Sequence, residues 1–397
     1  MRVAIVGGKL QGVEAAYLAK KAGWEVVLID KKTWVPAAEL CDQFYELDVT
    51  SVVEWNLFFK GIDLIIPALE NNEALKSLVR TANYASVPLV FDEESYAISS
   101  SKISSNELFA RSGVPAPIPW PECGFPIIVK PSDASGSEGV IKINSALEYQ
   151  RLLAGKNLSG WVTEEYLEGP SYSLEVIGFS GCYKVLKITE LHMDEGYDCK
   201  RVVGSAILSD KLKIEFEQIG LSLARSLKLN GIMDIETILH EGQLKVLEID
   251  ARLPSQTPIA VYHSTGINML EILGEAFVQD KPWQEFDVLE KQGVIYEHIH
   301  VVDEYLEVSG EHIMADAGPL HVYQDFFGAD EALTSYLPDK TEWVATLIIT
   351  GEDCQTAWDK RCIVLQEICK AFGIRHYHDR YPVIEDSEGF IRMASGR

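Results

Sequence analysis

Between Gly231 and Pro254 the chain reads GIMDIETILHEGQLKVLEIDARLP, which brings Asp234, Glu236, Glu248, Asp250 and Arg252 into one short span. Carboxylates are hard oxygen donors, and a guanidinium is a planar, permanently charged fork matched to carboxylate and phosphate oxygens. What these groups can do depends on the elements that carry them. Residues 232–239 and 243–251 are β-rich runs, with His240, Glu241 and Gly242 as turn material between them, so the stretch predicts a β-hairpin. With the loop centred on Gly242, Glu236 falls opposite Glu248 and Asp234 opposite Asp250; a slip of one residue would undo both pairs. Alternation along the second strand puts Leu247, Ile249 and Ala251 on one face and Val246, Glu248, Asp250 and Arg252 on the other. Like charges directly opposite on a sheet repel. The acidic face is therefore either open to solvent or built around a cation, and magnesium, which takes one or two carboxylates and completes its shell with water and phosphates, suits the second reading.

One lysine stands where it could meet phosphates. The run FPIIVKP predicts a strand ending at Lys130, and the following SDASGSEGV, with Ser135, Gly136 and Ser137, is a small-residue loop whose backbone N–H groups could cradle phosphate oxygens. Lys102 precedes an amphipathic helix predicted over residues 104–111 and ended by Gly113 and prolines. Residues 161–170, WVTEEYLEGP, read as strand plus linker and hold Glu164, Glu165, Tyr166 and Leu167; residues 171–179 read as a further strand carrying Glu175.

The N-terminus opens as strand, glycine turn, helix and strand. RVAIV leads into Gly7 and Gly8, a helix runs to about Ala22, and a second strand closes on Asp30. This is the order of a Rossmann-like unit, yet Lys9 stands at the second glycine of G-x-G-x-x-G. An NAD-dependent oxidoreductase, with Asp30 on a ribose hydroxyl, is one reading. In the other, the ligand is a small substrate at the carboxyl ends of a parallel sheet, where Glu70 lies beyond the strand at residues 62–67.

Taken together, Lys102, IIVKP with its loop, EEYLEG, and Glu236 followed by EIDAR resemble the ATP-grasp superfamily over about residues 100–255. The resemblance implies an α/β fold with an α+β lid, namely an N-terminal Rossmann-like domain (1–98), a central lid (99–180), a carboxylate-bearing subdomain (181–293) and a small C-terminal α/β unit (294–393). It implies ATP bound by Lys102, Lys130, Ser135, Gly136 and Ser137, with Glu164, Glu165, Tyr166 and Leu167 at the adenine. Two Mg2+ ions are implied on Glu236, Glu248 and Asp250. Asp250 stands where the family motif E-x-N-x-R has asparagine; it keeps an oxygen ligand and adds a charge. Lys130 and Arg252 become catalytic, offsetting charge on the transferred phosphoryl group and on the acyl intermediate. Leu10, Gln11, Glu70, Asn71, Glu175 and Asp234 become substrate-binding. Many relatives place a ribose-binding acid where this chain has Ser171.

Within the superfamily, GGKLQGVEAAYLAKKAGWEV, PALENNEAL and GPSYSLEVIG resemble the ligases of pyrrolysine biosynthesis, which join (3R)-3-methyl-D-ornithine to the ε-amine of L-lysine. The alternative inside the superfamily is a purine-biosynthesis ligase acting on a phosphoribosyl amine, which needs a basic pocket for the ribose phosphate; the sequence offers no such cluster.

The remaining features set limits. A net charge of −25 over 397 residues argues against nucleic acid or an anionic membrane as partner, since both attract basic surface, and suits cationic small-molecule substrates. Seven scattered cysteines without a C-x-x-C pair read as reduced thiols. No apolar run approaches the roughly 18 residues of a membrane helix, and MRVAIVGG does not read as a signal peptide, so a cytoplasmic protein is expected. Oligomeric state is left open, with a homodimer as one option. Residues 214–227 predict an amphipathic helix with Ile214, Ile219, Leu221, Ala224 and Leu227 toward the core. Residues 191–201 read as a polar loop, and His298 and His300 share a strand face at a spacing that could serve zinc.

Overall fold

Continuous apolar runs behind glycine turns build a parallel sheet at the start of the chain. In the computed structural model, which describes residues 1–51, 59–134, 136, 138–385 and 391–393, the strands lie in the order Gln43–Glu46, Glu25–Asp30, Arg2–Val6, Leu64–Pro67. Val3 to Val6 and Val26 to Ile29 are all buried, as expected of parallel strands covered on both faces. Gly7 holds φ +108°, and a Cβ there would fall 2.2 Å from the Ala68 carbonyl oxygen, so the turn demands glycine. The helix Leu10–Lys21 follows.

Contacts divide the chain into two units, Met1–Phe91 with Thr189–Ala206 and Leu253–Arg397, and Asp92–Ile188 with Ile207–Arg252. Besides the parallel sheet, the first unit holds antiparallel strands in the order Cys199–Val203, Gly293–Val302, Glu342–Gly351, Ala329–Thr334, His321–Phe326, with the helix Cys354–Phe372 packed on them. Residues 191–201, expected as a polar loop, are instead mostly strand: Cys182–Met193 and Cys199–Val203 pair antiparallel around a turn closed by Asp194, whose Oδ1 accepts from Gly196 and Asp198 N–H. Lys200 and Arg201 are fully buried. Their charges are met by Asp379 at 2.6 and 2.7 Å and, for Arg201, by Glu297, which also binds Arg361. Buried charges persist only with such partners.

His298 is buried and its Nδ1 lies 2.8 Å from Thr346 Oγ1, while His300 faces Glu342 at 3.3 Å. Among the described residues no group of His, Cys, Asp or Glu is arranged to hold a metal by itself. Burial pushes His298 down from 6.5 to about 3. Burial likewise pushes Glu14 up from 4.5 to about 8, against hydrogen bonds from Tyr296 and from the Ile259 and Gln256 N–H groups. The two shifts act on stability with opposite signs. The folded state refuses a proton at His298 that the unfolded chain takes, so that contribution is present above pH 6.5 and is lost as pH falls toward 3. The folded state keeps a proton at Glu14 that the unfolded chain releases, so that contribution is present below pH 4.5 and is lost as pH rises toward 8. In urea unfolding across pH, Glu14→Gln is expected to flatten the alkaline decline and His298→Asn the acid one; unchanged slopes in the variants would refute both assignments.

The second unit contains two antiparallel sheets. One has the order Ile141–Ile143, Ile127–Pro131, Trp161–Glu165. The other carries the hairpin Gly231–His240 and Gln243–Asp250, with Ser171–Phe179 beside Gly231–His240. The helix expected over 214–227 begins earlier, at Asp210, because Ser209 caps it by accepting from Leu212 N–H. Its buried stripe is Phe216, Ile219, Gly220, Leu223, Ala224 and Leu227, whereas Ile214 is 54% exposed and Leu221 only partly buried. A stripe at i, i+3, i+4, i+7 and i+8 starting from Phe216 satisfies the helical period better than one starting from Ile214. Among the described residues no helix is long and apolar enough to cross a membrane.

Candidate active site

The two acid pairs form as expected, Asp234 opposite Asp250 and Glu236 opposite Glu248, but the loop is only Glu241 and Gly242, with His240 paired to Gln243 instead of lying in the turn. A shift in register between Glu236 and Thr237 then pairs Thr237 with Val246. This bulge corrects the expected faces: Val246 is fully buried and Leu247 is not, because one extra residue reverses the alternation on the turn side while leaving Glu248, Asp250 and Ile249 as predicted. On the other edge of Gly231–His240, Asp234 faces Glu175 and Glu236 faces Ser173. Five acids thus share three neighbouring strands, and Glu175 and Asp234 are buried. Burial, and then the charges of Asp250 and Glu236, push the Asp234 carboxyl well above the usual range, with Arg252 opposing. Its Oδ1 is buried with no hydrogen-bond partner among the described residues.

Such a face is chemically suited to cations. Glu236, Glu248 and Asp250 offer the oxygen donors that magnesium shares with phosphates, and the orphaned Asp234 oxygen calls for a donor that the described chain does not supply. The residues present therefore fit the expected metal, provided substrate oxygens complete its shell.

A cationic side chain meets this face from the helix Lys102–Ser112, whose N-terminus Ser101 caps by accepting from Ser104 N–H. Lys102 Nζ donates to Glu248 Oε1 and to the Ala134 carbonyl, both at 2.6 Å. One turn along, Asn106 donates to Glu164 Oε2 at 3.1 Å, and Glu164 Oε1 lies 2.6 Å from Lys130 Nζ. Lys130 and Glu164 are both nearly fully buried. Arg252 donates from Nη2 to Asp250 Oδ2 at 3.0 Å. The structure thus brings together Lys102, Glu248 and the loop at Ala134, then Lys130 with Glu164, and Arg252 with Asp250.

Glu165 is turned away from Glu164. It binds Lys245 at 2.5 Å and accepts from Ile118 N–H at 3.0 Å. Burial opposes its charge, but Lys245 and the Ile118 N–H lower its pKa below the usual value. Tyr166 packs under the Lys142 ammonium, 3.9 Å from the ring centre, and Leu167 is buried. Gly136 is exposed at φ +59°, the left-handed region that glycine enters freely. Ser135 and Ser137 lie outside the described residues.

The other expected substrate residues belong to the first unit. Leu10 begins the helix behind the glycine turn, and Gln11 Nε2 donates to Glu70 Oε1 at 2.9 Å. Asn71 caps the helix Asn72–Ala85 by accepting from Ala74 N–H at 2.9 Å. Asp30 accepts from Gly8 N–H at 2.8 Å and from Lys32 N–H at 2.9 Å, so it serves the glycine turn itself. Glu70→Gln is accordingly expected to raise the KM for an amino-acid substrate by about 1.5–3 kcal/mol, the scale of a charge-assisted hydrogen bond, with ATP affinity unchanged. Asp30→Ala should also leave ATP affinity unchanged; a micromolar nicotinamide nucleotide site that Asp30→Ala weakened would overturn the substrate reading of this turn.

Asn106 and Lys245 escaped the reading of the sequence. Asn106 was open to it, since it lies at i+4 from Lys102 and shares its helix face. Lys245 was not, because its pairing with Glu165 depends on how two separate sheets meet.

An ATP-grasp domain family matches residues 99–256. The chain is 37% identical over 374 residues to the 3-methyl-D-ornithine–L-lysine ligase of Methanosarcina acetivorans, covering 94% of this chain and 98% of that one. It is 36% identical to the enzyme of the same name from Methanosarcina mazei, covering 94% and 96%. Among solved structures, the biotin carboxylase domain of Hydrogenobacter thermophilus 2-oxoglutarate carboxylase, in complex with MgADP, ADP and bicarbonate, matches with a TM-score of 0.70 over 92% of this chain and 89% of that one, at 14% identity. That last likeness is one of fold alone.

Proposed function

Because the chain belongs to the family of 3-methyl-D-ornithine–L-lysine ligases within the ATP-grasp fold, we propose that it joins (3R)-3-methyl-D-ornithine to the ε-amine of L-lysine in pyrrolysine biosynthesis. The reaction has two steps. A carboxylate oxygen of the ornithine bonds to the γ-phosphorus of ATP and ADP leaves; the lysine amine then attacks the acyl carbon, phosphate departs, and the amine proton passes to solvent.

Lys102, Lys130 and the loop with Ser135, Gly136 and Ser137 bind the phosphates, and residues 164–167 take the adenine. Glu236, Glu248 and Asp250 would hold magnesium, two ions in the full reading, which when bound neutralises phosphate charge during transfer. Arg252 steadies the oxyanion formed as the amine attacks. Glu70, Glu175 and Asp234 answer the ammonium groups of the two amino acids, with Leu10, Gln11 and Asn71 around Glu70. On this reading residues 1–98 hold amino acid, 99–180 cover the nucleotide, 181–293 carry the metal face and 294–393 form a small α/β unit, and the protein works in the cytoplasm.

The observation that carries the reading is the facing of Asp234 with Asp250 and of Glu236 with Glu248, with Lys102 on Glu248. Such an array is costly without cationic substrates or metals to answer it. ADP release against a panel of amino-acid pairs tests it. Turnover is expected with the methylornithine and lysine pair and not with either alone; turnover with a phosphoribosyl amine instead would favour the purine ligase.

A further inference from the structure

Lys102 meets more of the second unit than a phosphate ligand needs. Its ammonium sits 2.6 Å from Glu248 Oε1 and 2.6 Å from the Ala134 carbonyl on the small-residue loop. Its backbone N–H donates to Ser132 O at 2.9 Å, and the next N–H, of Ile103, donates to Ser132 Oγ at 3.1 Å. The helix start, the loop and the carboxylate hairpin are therefore joined through one residue. The side chain is only 11% exposed, so little water solvates the charge and it depends on an anionic partner. A second acid of the same face, Asp250, likewise holds a side-chain cation, Arg252.

We propose that Lys102 is the resident counter-ion of the Glu248 carboxylate, so that a divalent cation gains that carboxylate only together with the nucleotide whose phosphates take over the ammonium. This rests on the metal assignment made above. A magnesium ion bonds carboxylate oxygen at about 2.1 Å. An ion on Glu248 would then add two positive charges within a few ångströms of Nζ, in a place too dry to screen them. The nucleotide removes the conflict. Its phosphate oxygens are stronger acceptors for the ammonium than a carboxylate already shared with a metal, and the same shift frees the Ala134 carbonyl. Free divalent ion accordingly binds poorly, and metal and nucleotide enter together.

Mn2+ binding, read by the loss of its free EPR signal, tests this without turnover. In the nucleotide-free protein, Lys102→Met is expected to tighten Mn2+ at least tenfold over wild type, and Lys102→Arg, which keeps the charge, is expected to leave Mn2+ weakly bound. Both variants are first matched to wild type by circular dichroism and thermal midpoint. In a separate titration Lys102→Met should weaken a non-hydrolysable ATP analogue at least tenfold. A folded Lys102→Met protein that binds Mn2+ no more tightly than wild type overturns the counter-ion role while leaving the ligase reading in place. If wild type takes up no Mn2+ even with the ATP analogue present, the carboxylate assignment fails and the exchange with it.

Discussion

Glu248→Gln is expected to abolish ligation while leaving the fold intact. The substitution keeps the volume and one carbonyl oxygen but removes the charge that holds Lys102 and that the proposed metal would use. Losing one preorganised electrostatic group at a site of charge transfer typically costs on the order of 10²–10³ in kcat. Stability should fall only modestly, although Lys102 is nearly buried and loses its anionic partner. Gln loses the pairing with Lys102, yet it also relieves the repulsion between Glu248 and Glu236, which face each other directly. Glu248 is 26% exposed, so neither effect acts at full interior strength. The thermal midpoint and ADP release decide the matter. Wild-type turnover at ordinary magnesium would remove Glu248 from the metal site, and a collapsed midpoint would make its role one of folding.

The hairpin was legible because its information is local. A two-residue period and a glycine in the turn identify the hairpin, but the turn alone, with His240 paired to Gln243, would set Glu236 opposite Leu247; the bulge restores Glu248. The bulge was not legible, since an extra residue in one strand leaves the composition of both unchanged and shows only as Val246 entering the core. The same contrast holds for Lys102. Its place at a capped helix start can be read from Ser101 and the amphipathic run that follows, whereas its partner Glu248 lies 146 residues away and is found only by folding the chain.

Charge misled the reading at residues 191–201. A run with Asp194, Glu195, Asp198, Lys200 and Arg201 resembles a solvated loop, because charged residues are seldom fully buried. The partners that make burial possible are remote: Arg201 meets Glu297 at a separation of 96 and Asp379 at 178. No local pattern carries that. Asp30 was ambiguous for a related reason. An acid at the end of the second strand is the residue expected for a ribose in one fold and for the glycine turn in this one, and the choice appears only when its oxygens are seen on Gly8 and Lys32 N–H.

Arg252→Lys is expected to lower kcat by about 10²–10³-fold, the scale of a lost oxyanion donor, with little change in ATP affinity. Arg252 Nη2 lies 3.0 Å from Asp250 Oδ2 and the side chain is 13% exposed, so the guanidinium is held by a carboxylate of the acidic face. A planar fork can keep that contact through one nitrogen and direct another at a developing oxyanion. An ammonium is a compact point charge on a more mobile stem, and a lysine that stays on Asp250 leaves the reacting carbon without a directed donor. Charge near the site is conserved in this variant, so ground-state binding of ATP should persist, and the loss should appear in kcat and kcat/KM alike, the mark of an interaction made only in the transition state. Steady-state ADP release together with an ATP-analogue titration separates the two. A variant with unchanged kcat would take Arg252 out of the reaction, and one whose defect lay wholly in analogue binding would make it a nucleotide ligand instead.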